Sequence, residues 1–254
     1  MIFFNFSSCE GVALTDAILL GDGVFETLRS YEGRLFALDS HLQRLEEGIS
    51  RLELARSTEE LFDREKVISS IKEILSKGHF PNGALRISFY ADGNWVLSHR
   101  EYFPPSEALR CSLIQEEAEA LAYKSASYSR RLRARRLAQK LGCDDAIFVD
   151  SNEEVSELST SNLLAYSDGS WVTPRIESGA LPGVTRMALI ENFGVREVNL
   201  TRTALSEAED VAATSSLREI QGIKEIDGKD TPISNRLREL QESFHTWILG
   251  NLAL

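Results

Sequence analysis

Stretches with the pattern of β-strands and stretches with the pattern of α-helices follow one another along this chain without regular alternation. Residues 85–91 alternate in the manner of a strand, and Asp168-Gly169 separates two short strand-like runs, which indicates a hairpin. Residues 41–54 and 58–77 repeat apolar side chains at helical spacing. A doubly wound parallel sheet needs a helix between successive strands. The pattern therefore predicts an α+β fold.

The chain has 254 residues, which is enough for one large domain or two modest ones. Pro104-Pro105-Ser106 is the strongest linker signal in the sequence. We therefore predict one domain over residues 1–106 and a second over residues 107–254. The second domain is expected to contain helices over residues 129–141, 183–193 and 233–249.

Charge and composition exclude several classes of function. The formal net charge is −11, and an acidic chain repels the phosphate backbone of nucleic acids. No run of about 18 apolar residues is present, so no membrane span is expected. Cys9, Cys111 and Cys143 lie far apart, and the four histidines have no ligand spacing, so we expect no disulfide and no metal site. Unpaired thiols are typical of a cytoplasmic protein.

Lys124 is the first candidate for a chemical role. It stands in the segment 123–128 (YKSASY), which is small, weakly charged and placed between a predicted strand and a predicted helix. A lysine that acts as a nucleophile needs a lowered pKa, and removal from water can provide it. Tyr128 follows four residues later and shares its face if the segment is helical. The alternative is an ordinary surface lysine.

A second set of candidates could bind an anion or carry a charge. The segment 181–185 (LPGVT) opens a helix, and the free N–H groups of a helix N-terminus can hold a phosphate, although such a segment can also be a simple helix entry. Glu157 stands at the end of a short predicted strand, among small hydroxyl residues, where a carboxylate can equally be part of a solvated turn. Arg44 lies on the polar side of the 41–54 helix and could be a surface ion-pair partner.

Six motifs in a fixed order connect these candidates. They are 21–29 (GDGVFETLR), 41–45 (HLQRL), 124–128 (KSASY), Glu157 with 161–163 (SNL), 181–186 (LPGVTR) and 214–220 (TSSLREI). Together they resemble the class IV aminotransferase family, whose members use pyridoxal 5′-phosphate. The resemblance extends from about residue 1 to residue 230, and six motifs in order are far more specific than any one of them.

The resemblance implies a fold and the main cofactor contacts. It implies a small α+β N-terminal domain, a larger C-terminal pseudo-barrel, the cofactor in the cleft between them, and a homodimer. Lys124 corresponds to the lysine that binds the cofactor as a Schiff base and shuttles protons. Glu157 corresponds to the carboxylate that pairs with the protonated pyridine nitrogen and keeps the ring able to accept electrons. Arg44 corresponds to a residue that binds the cofactor phosphate.

The remaining contacts implied by the resemblance surround the phosphate and the ring. The backbone N–H groups of Val184 and Thr185, with the Thr185 hydroxyl, complete the phosphate cup. Ser216 falls where relatives often have a hydroxyl that binds the phosphate. Leu181 packs on the ring face, and Tyr128 forms a hydrogen bond near the phenolic oxygen of the ring.

Departures from the family pattern bear on the reaction and on the small amino substrate. Branched-chain aminotransferases usually have a tyrosine at the position of Ala84 and a Gly-Thr-Ala-Ala segment near residues 215–218, where this chain has Ser-Ser-Leu-Arg. The Arg-x-His segment of D-amino-acid enzymes is also missing here. The chain is most similar to the 4-amino-4-deoxychorismate lyase branch, which releases 4-aminobenzoate and pyruvate. The alternative is transamination of a D-amino acid or a branched-chain amino acid.

Overall fold

The computed structural model describes residues 1–54, 56–78, 80–116 and 123–253. The chain divides into two compact units. The first unit holds Met1–Pro104, Tyr123–Tyr128 and the residues from Ile248 onward, and the second holds the rest of the described chain. The division after Pro104 lies close to the expected boundary at residue 106. The two short segments were assigned to the second domain on sequence grounds, and the structure groups them with the first.

The first unit is built on an antiparallel sheet with seven strands among the described residues. The strand order is β16-β4-β3-β5-β6-β1-β2. The strands are β1 Ile2–Phe4, β2 Ser7–Cys9, β3 Gly23–Tyr31, β4 Arg34–Phe36, β5 Asn82–Tyr90, β6 Trp95–Glu101 and β16 Leu252–Ala253. The long strands β3 and β5 pair over their whole length, so they fix the position of every side chain on the central part of the sheet.

Four helices among the described residues belong to this unit: α1 Asp16–Leu20, α2 Leu38–Ser50, α3 Thr58–Leu61 and α4 Arg64–Lys77. The apolar stripes of α2 and α4 pack on the sheet with strand residues such as Leu28 and Leu85. The helix predicted over 58–77 is in fact two helices, because Phe62 has an extended backbone and Asp63 caps a new helix by accepting a hydrogen bond from the backbone N–H of Lys66. The prediction missed this break since Phe62 stays buried and the apolar stripe continues.

One other helical prediction needs correction, and one helix was missed. Helix α2 begins at Leu38 rather than at residue 41 and ends at Ser50 rather than at residue 54, and its N-cap is Ala37 at a φ of 52°, which supplies no side-chain cap. Helix α1 was not predicted, because its five residues bury no side chain and leave no apolar periodicity to detect.

The second unit contains a closed barrel. Strands β10, β13, β14, β7, β8 and β9 follow one another by pairing, and β9 pairs back to β10 through Glu157 and Asn162. The barrel strands are β7 Leu109–Gln115, β8 Asp145–Val149, β9 Val155–Leu158, β10 Asn162–Ser167, β13 Asp210–Ser215 and β14 Glu219–Ile226. Strands β11 Ser170–Pro174, β12 Arg196–Val198 and β15 Lys229–Asp230 extend the sheet outside the barrel. The α+β fold with a barrel in the second unit is thereby confirmed.

Helices α5 Ser129–Lys140, α6 Val184–Phe193, α7 Arg202–Glu207 and α8 Asn235–Gly250 accompany the barrel, with a short 3₁₀ turn at Ile176–Ser178. Ala134 and Ala138 on α5 pack against Ala146 and Phe148 of β8. Small side chains at this contact allow the helix to lie close to the barrel wall. None of the helices in the described part of the chain is both long enough and apolar enough to cross a membrane.

Candidate active site

The segment that carries Lys124 lies along the first residues of β3. The backbone N–H of Phe25 donates to the Lys124 carbonyl at 2.9 Å, and the backbone N–H of Ala126 donates to the Gly23 carbonyl at 2.8 Å. Val24 and Ser125 form an antiparallel bridge between these bonds. The lysine is therefore fixed at its backbone by a strand of the central sheet, although it is about a hundred residues away in sequence.

The glycines of the 21–29 motif explain how the two segments come so close. Gly21 has a φ of 69°, and a Cβ there would lie 2.9 Å from the Ala126 carbonyl oxygen. A Cβ on Gly23 would lie 2.2 Å from the Phe89 carbonyl oxygen. Any other residue at these two positions would push the Lys124 segment or strand β5 away. The motif thus has a steric role in placing the lysine.

The Lys124 amine lies beside the Phe25 ring of the first unit, and Arg86 and Tyr128 also pack against that ring. Its Nζ lies 5.1 Å from the centre of the Phe25 ring, and the Cζ of Arg86 lies 3.6 Å from the same point. The Tyr128 ring packs edge-on against Phe25 at 5.3 Å between ring centres. Burial lowers the pKa of Arg86, against the opposing influence of the Tyr90 and Tyr128 phenols. The lysine amine, the arginine guanidinium and the tyrosine phenol therefore all lie against the Phe25 ring.

Arg44 is held by a buried carboxylate. Its Nε and Nη2 donate to the two oxygens of Glu26 on β3 at 2.6 and 2.8 Å, and His41 on the same helix contacts Glu26 Oε2 through Nδ1 at 2.7 Å. The alternative of a surface ion pair is wrong, because the Arg44 side chain is only 9% exposed and Glu26 only 1%. Glu26 thus fixes the guanidinium that the resemblance assigns to the cofactor phosphate.

The charges of this cluster follow from its contacts. Burial alone would raise the pKa of Glu26, but the charge of Arg44 and the hydrogen bond from His41 hold that pKa far below its usual 4.5. Burial lowers the pKa of His41 below its usual 6.5, and the charges of Arg44 and Lys124 act in the same direction against the pairing with Glu26. At neutral pH the carboxylate is ionised and the imidazole neutral, so His41 Nδ1–H is the donor.

Glu157 lies on β9 in the second unit, and both of its oxygens are engaged. Oε2 accepts from the Asn162 side-chain amide and from the Leu181 backbone N–H, each at 3.1 Å. Oε1 accepts from Nη2 of Arg131 on α5 at 2.5 Å. The Asn162 amide also donates to the Leu181 carbonyl at 2.8 Å, so the loop before α6 is tied to this carboxylate. The alternative of a solvated turn is wrong, because Glu157 is buried.

The N-terminus of α6 presents a set of hydrogen-bond donors. Its N-cap is Gly183, which supplies no side-chain cap, so the first backbone N–H groups at Val184 and Thr185 receive no partner from the cap. The Thr185 hydroxyl lies 3.4 Å from the Ser216 hydroxyl, which stands in the turn between β13 and β14. A Cβ at Gly183 would lie 1.9 Å from Oδ1 of Asn162, so the loop can enter the helix here only with glycine.

The structure thus gathers the sequence candidates into two groups. Lys124, Tyr128 and Arg44 belong to the first unit, and Glu157, Leu181, Val184, Thr185 and Ser216 belong to the second. Sequence reasoning gave no role to Glu26, Arg86 or Arg131. Glu26 could have been suspected, since it stands inside the 21–29 motif. Arg131 carried no such signal, because it is one of five arginines on α5.

Comparison with known proteins identifies the family to which this chain belongs. The family model for amino-transferase class IV matches residues 23–226, which is most of the chain. The chain belongs to the class IV aminotransferases. Enzymes of this family use pyridoxal 5′-phosphate, so this is the cofactor of the chain. The resemblance drawn from the six motifs is therefore confirmed at the level of the family.

The curated relatives of this class IV enzyme include aminotransferases of two kinds. It is 26% identical over 259 residues to the D-alanine aminotransferase of Staphylococcus haemolyticus, covering 91% of this chain and 89% of the relative. It is 25% identical over 268 residues to the branched-chain-amino-acid aminotransferase of Escherichia coli strain K12, covering 89% of this chain and 85% of the relative.

Solved structures share the fold over almost the whole chain. A hypothetical aminotransferase from Mycobacterium tuberculosis, in a form with bound pyridoxal phosphate, matches with a TM-score of 0.85 at 20% identity, over 98% of this chain and 99% of that chain. A structure described as a putative 4-amino-4-deoxychorismate lyase from Legionella pneumophila matches with a TM-score of 0.81 at 22% identity, over 94% of this chain and 97% of that chain.

Proposed function

We propose that this class IV enzyme is an aminotransferase that accepts the amino group of a small amino acid. One observation carries the proposal: Lys124 Nζ and the Arg86 guanidinium lie against the same Phe25 ring. A guanidinium is suited to a carboxylate, and a lysine amine is suited to covalent and proton-transfer chemistry at an amino group. The two together suit a substrate that carries both groups.

The donor set of the described residues fits pyridoxal phosphate. Lys124 is the amine for its aldehyde, and the buried Glu157 carboxylate is the partner for its ring nitrogen. The N–H groups of Val184 and Thr185, the hydroxyls of Thr185 and Ser216, and the Arg44 guanidinium are donors for its phosphate. Leu181 supplies an apolar side chain for the ring face, and Tyr128 a phenol for the ring oxygen.

The protein residues then have distinct tasks in the reaction. When bound, the cofactor withdraws electrons from the substrate carbon that loses its proton. Lys124 would hold the cofactor, and its Nζ would be the base that removes the proton from the α-carbon of the substrate. Arg86 orients the substrate carboxylate, and Glu157 stabilises the positive charge on the ring nitrogen.

The test is the half-reaction. Purified holoenzyme is mixed with D-alanine, leucine or glutamate singly, with no keto acid present, and the keto acid released is measured. An aminotransferase releases about one equivalent per active site and stops until a keto acid is added. Lys124→Ala should release none. Arg86→Gln should raise the KM for the amino acid, whereas Arg100→Gln, an exposed arginine on β6, should not. Release of no keto acid from any amino acid would overturn the proposal.

The lyase reaction is the second candidate. It is supported by the missing branched-chain residues at Ala84 and in the turn at 215–218, and by the fold likeness to the Legionella protein. In that reaction Lys124 removes a ring proton of 4-amino-4-deoxychorismate and returns a proton to the departing enol. Release of 4-aminobenzoate and pyruvate from that substrate, with no keto acid from single amino acids, would establish the lyase in place of the aminotransferase.

The proposal includes a homodimer. Leu14, Leu19 and Leu20 are each more than 60% exposed on and beside α1, a helix that buries none of its own residues. A cluster of exposed leucines is typical of a surface that another copy covers. Sedimentation of the active holoenzyme should give twice the mass of the chain, and a fully active monomer would contradict this part of the proposal.

A further inference from the structure

We propose that Arg131 weakens the hold of Glu157 on the ring nitrogen of the cofactor, and so limits how strongly the bound ring withdraws electrons. The inference rests on the role proposed above for Glu157. It concerns a residue of α5 that none of the six motifs includes. Arg131 is a tuning and positioning residue in this account, since its guanidinium acts through Glu157.

Arg131 reaches the Glu157 carboxylate from helix α5, which packs against the barrel strand β8. Arg131 stands in the first turn of α5, and Ala134 and Ala138 let that helix lie close to β8. Its Nη2 lies 2.5 Å from Glu157 Oε1, and its Cζ lies 5.9 Å from the centre of the Phe148 ring. The arginine side chain is 22% exposed while the carboxylate is 3% exposed, so the cation reaches inward to the anion.

The acceptor positions of the Glu157 carboxylate explain why the contact with Arg131 matters. An ionised carboxylate has about four lone-pair positions. Among the described residues, the Asn162 amide and the Leu181 N–H occupy those of Oε2, and Arg131 occupies one on Oε1. The position left for a further donor is on Oε1, beside Arg131. A ring N–H bound to Glu157 must therefore share an oxygen with a guanidinium.

Two physical effects follow from this sharing, and they have the same sign. The guanidinium draws electron density from Oε1, which makes that oxygen a poorer acceptor for a second donor. Its positive charge also disfavours a second positive charge nearby, and a like charge within about 4–6 Å shifts a proton equilibrium by roughly one to three pH units. Both effects lower the proton affinity of the ring nitrogen. A ring whose nitrogen is less readily protonated withdraws electrons less strongly.

The other arginines of α5 offer a matched comparison. Arg130 pairs with Glu116, and Arg135 donates to the Asp144 backbone carbonyl. Arg133 and Arg136 are exposed. Within the described part of the chain, Arg131 is thus the arginine of this helix that pairs with a buried carboxylate. Arg133→Gln removes the same charge from the same helix without touching Glu157.

The experiment follows the ring nitrogen directly. Holoenzyme is prepared with cofactor labelled with ¹⁵N in the ring, and the ¹⁵N chemical shift is recorded as the pH is raised, for wild type, Glu157→Gln, Arg131→Gln, Arg131→Lys and Arg133→Gln. We expect Arg131→Gln to raise the pH at which the ring nitrogen loses its proton by about one unit. Arg131→Lys, which keeps the charge, should stay near wild type, and Arg133→Gln should not differ from it.

Each outcome decides the matter. If Glu157→Gln changes the ¹⁵N profile and Arg131→Gln does not, Arg131 has no tuning role, while the proposed role of Glu157 stands. If Glu157→Gln leaves the profile unchanged, the role of Glu157 fails, and this inference fails with it. Should Arg131→Gln not load cofactor, Arg131→Met is the second neutral variant, because it keeps an apolar stem against Phe148. An equal rise in Arg131→Lys and Arg131→Gln would assign the effect to packing and overturn the inference.

Discussion

Each unit of this enzyme contains a buried glutamate paired with an arginine from a helix. The two pairs differ in how many oxygens of the glutamate bind the arginine and how many bind other groups. Glu26 gives both oxygens to Arg44 and one of them also to His41. Glu157 gives one oxygen to Arg131 and the other to an amide and a backbone N–H. Arg44 is 9% exposed, and Arg131 is 22% exposed.

The difference separates two uses of the same pair of residue types. In the first unit both oxygens of the carboxylate bind the arginine, and the arginine is the residue proposed to bind the cofactor. In the second unit other groups also bind the carboxylate, and the arginine is the residue proposed to tune it. A buried ion pair is therefore poor evidence of a role until the remaining contacts of each partner are known.

The largest effect should come from removing the two carboxylate charges one at a time. Glu26→Gln removes the charge that pairs with the buried Arg44 and should lower the free energy of unfolding by about 3–5 kcal/mol. Glu157→Gln should cost only about 1 kcal/mol, because Arg131 keeps contact with water. Urea denaturation of the cofactor-free variants measures both. Equal losses of unfolding free energy in the two variants would show that the two pairs do not differ in this way.

Removing the arginine of the first pair should weaken cofactor binding. Arg44→Ala should raise the cofactor dissociation constant at least severalfold, since a charge-assisted contact is worth about 1.5–3 kcal/mol. The control is Arg51→Ala, an exposed arginine at the end of the same helix. The double variant Glu26→Gln/Arg44→Gln should recover stability relative to Glu26→Gln and still bind the cofactor weakly. An unchanged cofactor dissociation constant in Arg44→Ala would show that Arg44 does not bind the cofactor phosphate.

The histidine of the first pair should make stability depend on pH. Below pH 6.5 the unfolded chain protonates this histidine, while burial keeps the pKa of folded His41 lower. The unfolded state then binds more protons, so stability falls with decreasing pH by up to about 1.4 kcal/mol per unit. Glu26 adds a loss of the same sign below pH 4.5.

The variant His41→Gln should flatten the profile just below pH 6.5. His99, whose pKa burial also lowers, should leave a residual slope in both proteins. Urea denaturation of wild type and variant across this range makes the comparison. Parallel profiles for the two proteins would show that His41 does not contribute.

The smallest effect should come from the hydroxyls at the N-terminus of α6. Ser216→Ala and Thr185→Val each remove one neutral donor, worth about 0.5–1.5 kcal/mol, and should weaken cofactor binding a few fold. Thr203→Val, an exposed threonine on α7, is the control. A loss larger than that of Arg44→Ala would mean that these hydroxyls, and not the Arg44 charge, contribute most to cofactor binding.

Parts of this structure could be predicted from sequence because their signals are local. Helices α5 and α6 were expected close to their observed bounds, α4 was expected only as part of a longer helix, and the hairpin at Asp168-Gly169 follows from its turn residues. The site candidates came from motifs that are contiguous in the chain. The grouping of residues 123–128 with β3 could not be predicted, because it depends on the steric room that Gly21 and Gly23 leave.

The pairing of the charged side chains was beyond sequence reasoning for a different reason. Glu26 meets Arg44 because β3 and α2 pack together, and neither residue has a local pattern that names its partner. Arg131 meets Glu157 because two alanines set the distance between α5 and β8. In both cases the decisive quantity is a distance between elements, which depends on packing rather than on spacing along the chain.

The position of strand β16 late in the chain affects how the first unit folds during synthesis. Leu252 and Ala253 pair with Phe36 and Leu35, and Arg34 donates to the Leu252 carbonyl at 2.8 Å. A ribosome adding about 5–20 residues per second takes on the order of ten seconds to travel from the end of β6 to β16. During that interval β4 is an open sheet edge, which is a template for pairing with other chains. Strands β1 to β6 are thus made before the second unit, while the β4 edge is covered only after it, and nascent chains are most exposed to aggregation in that interval.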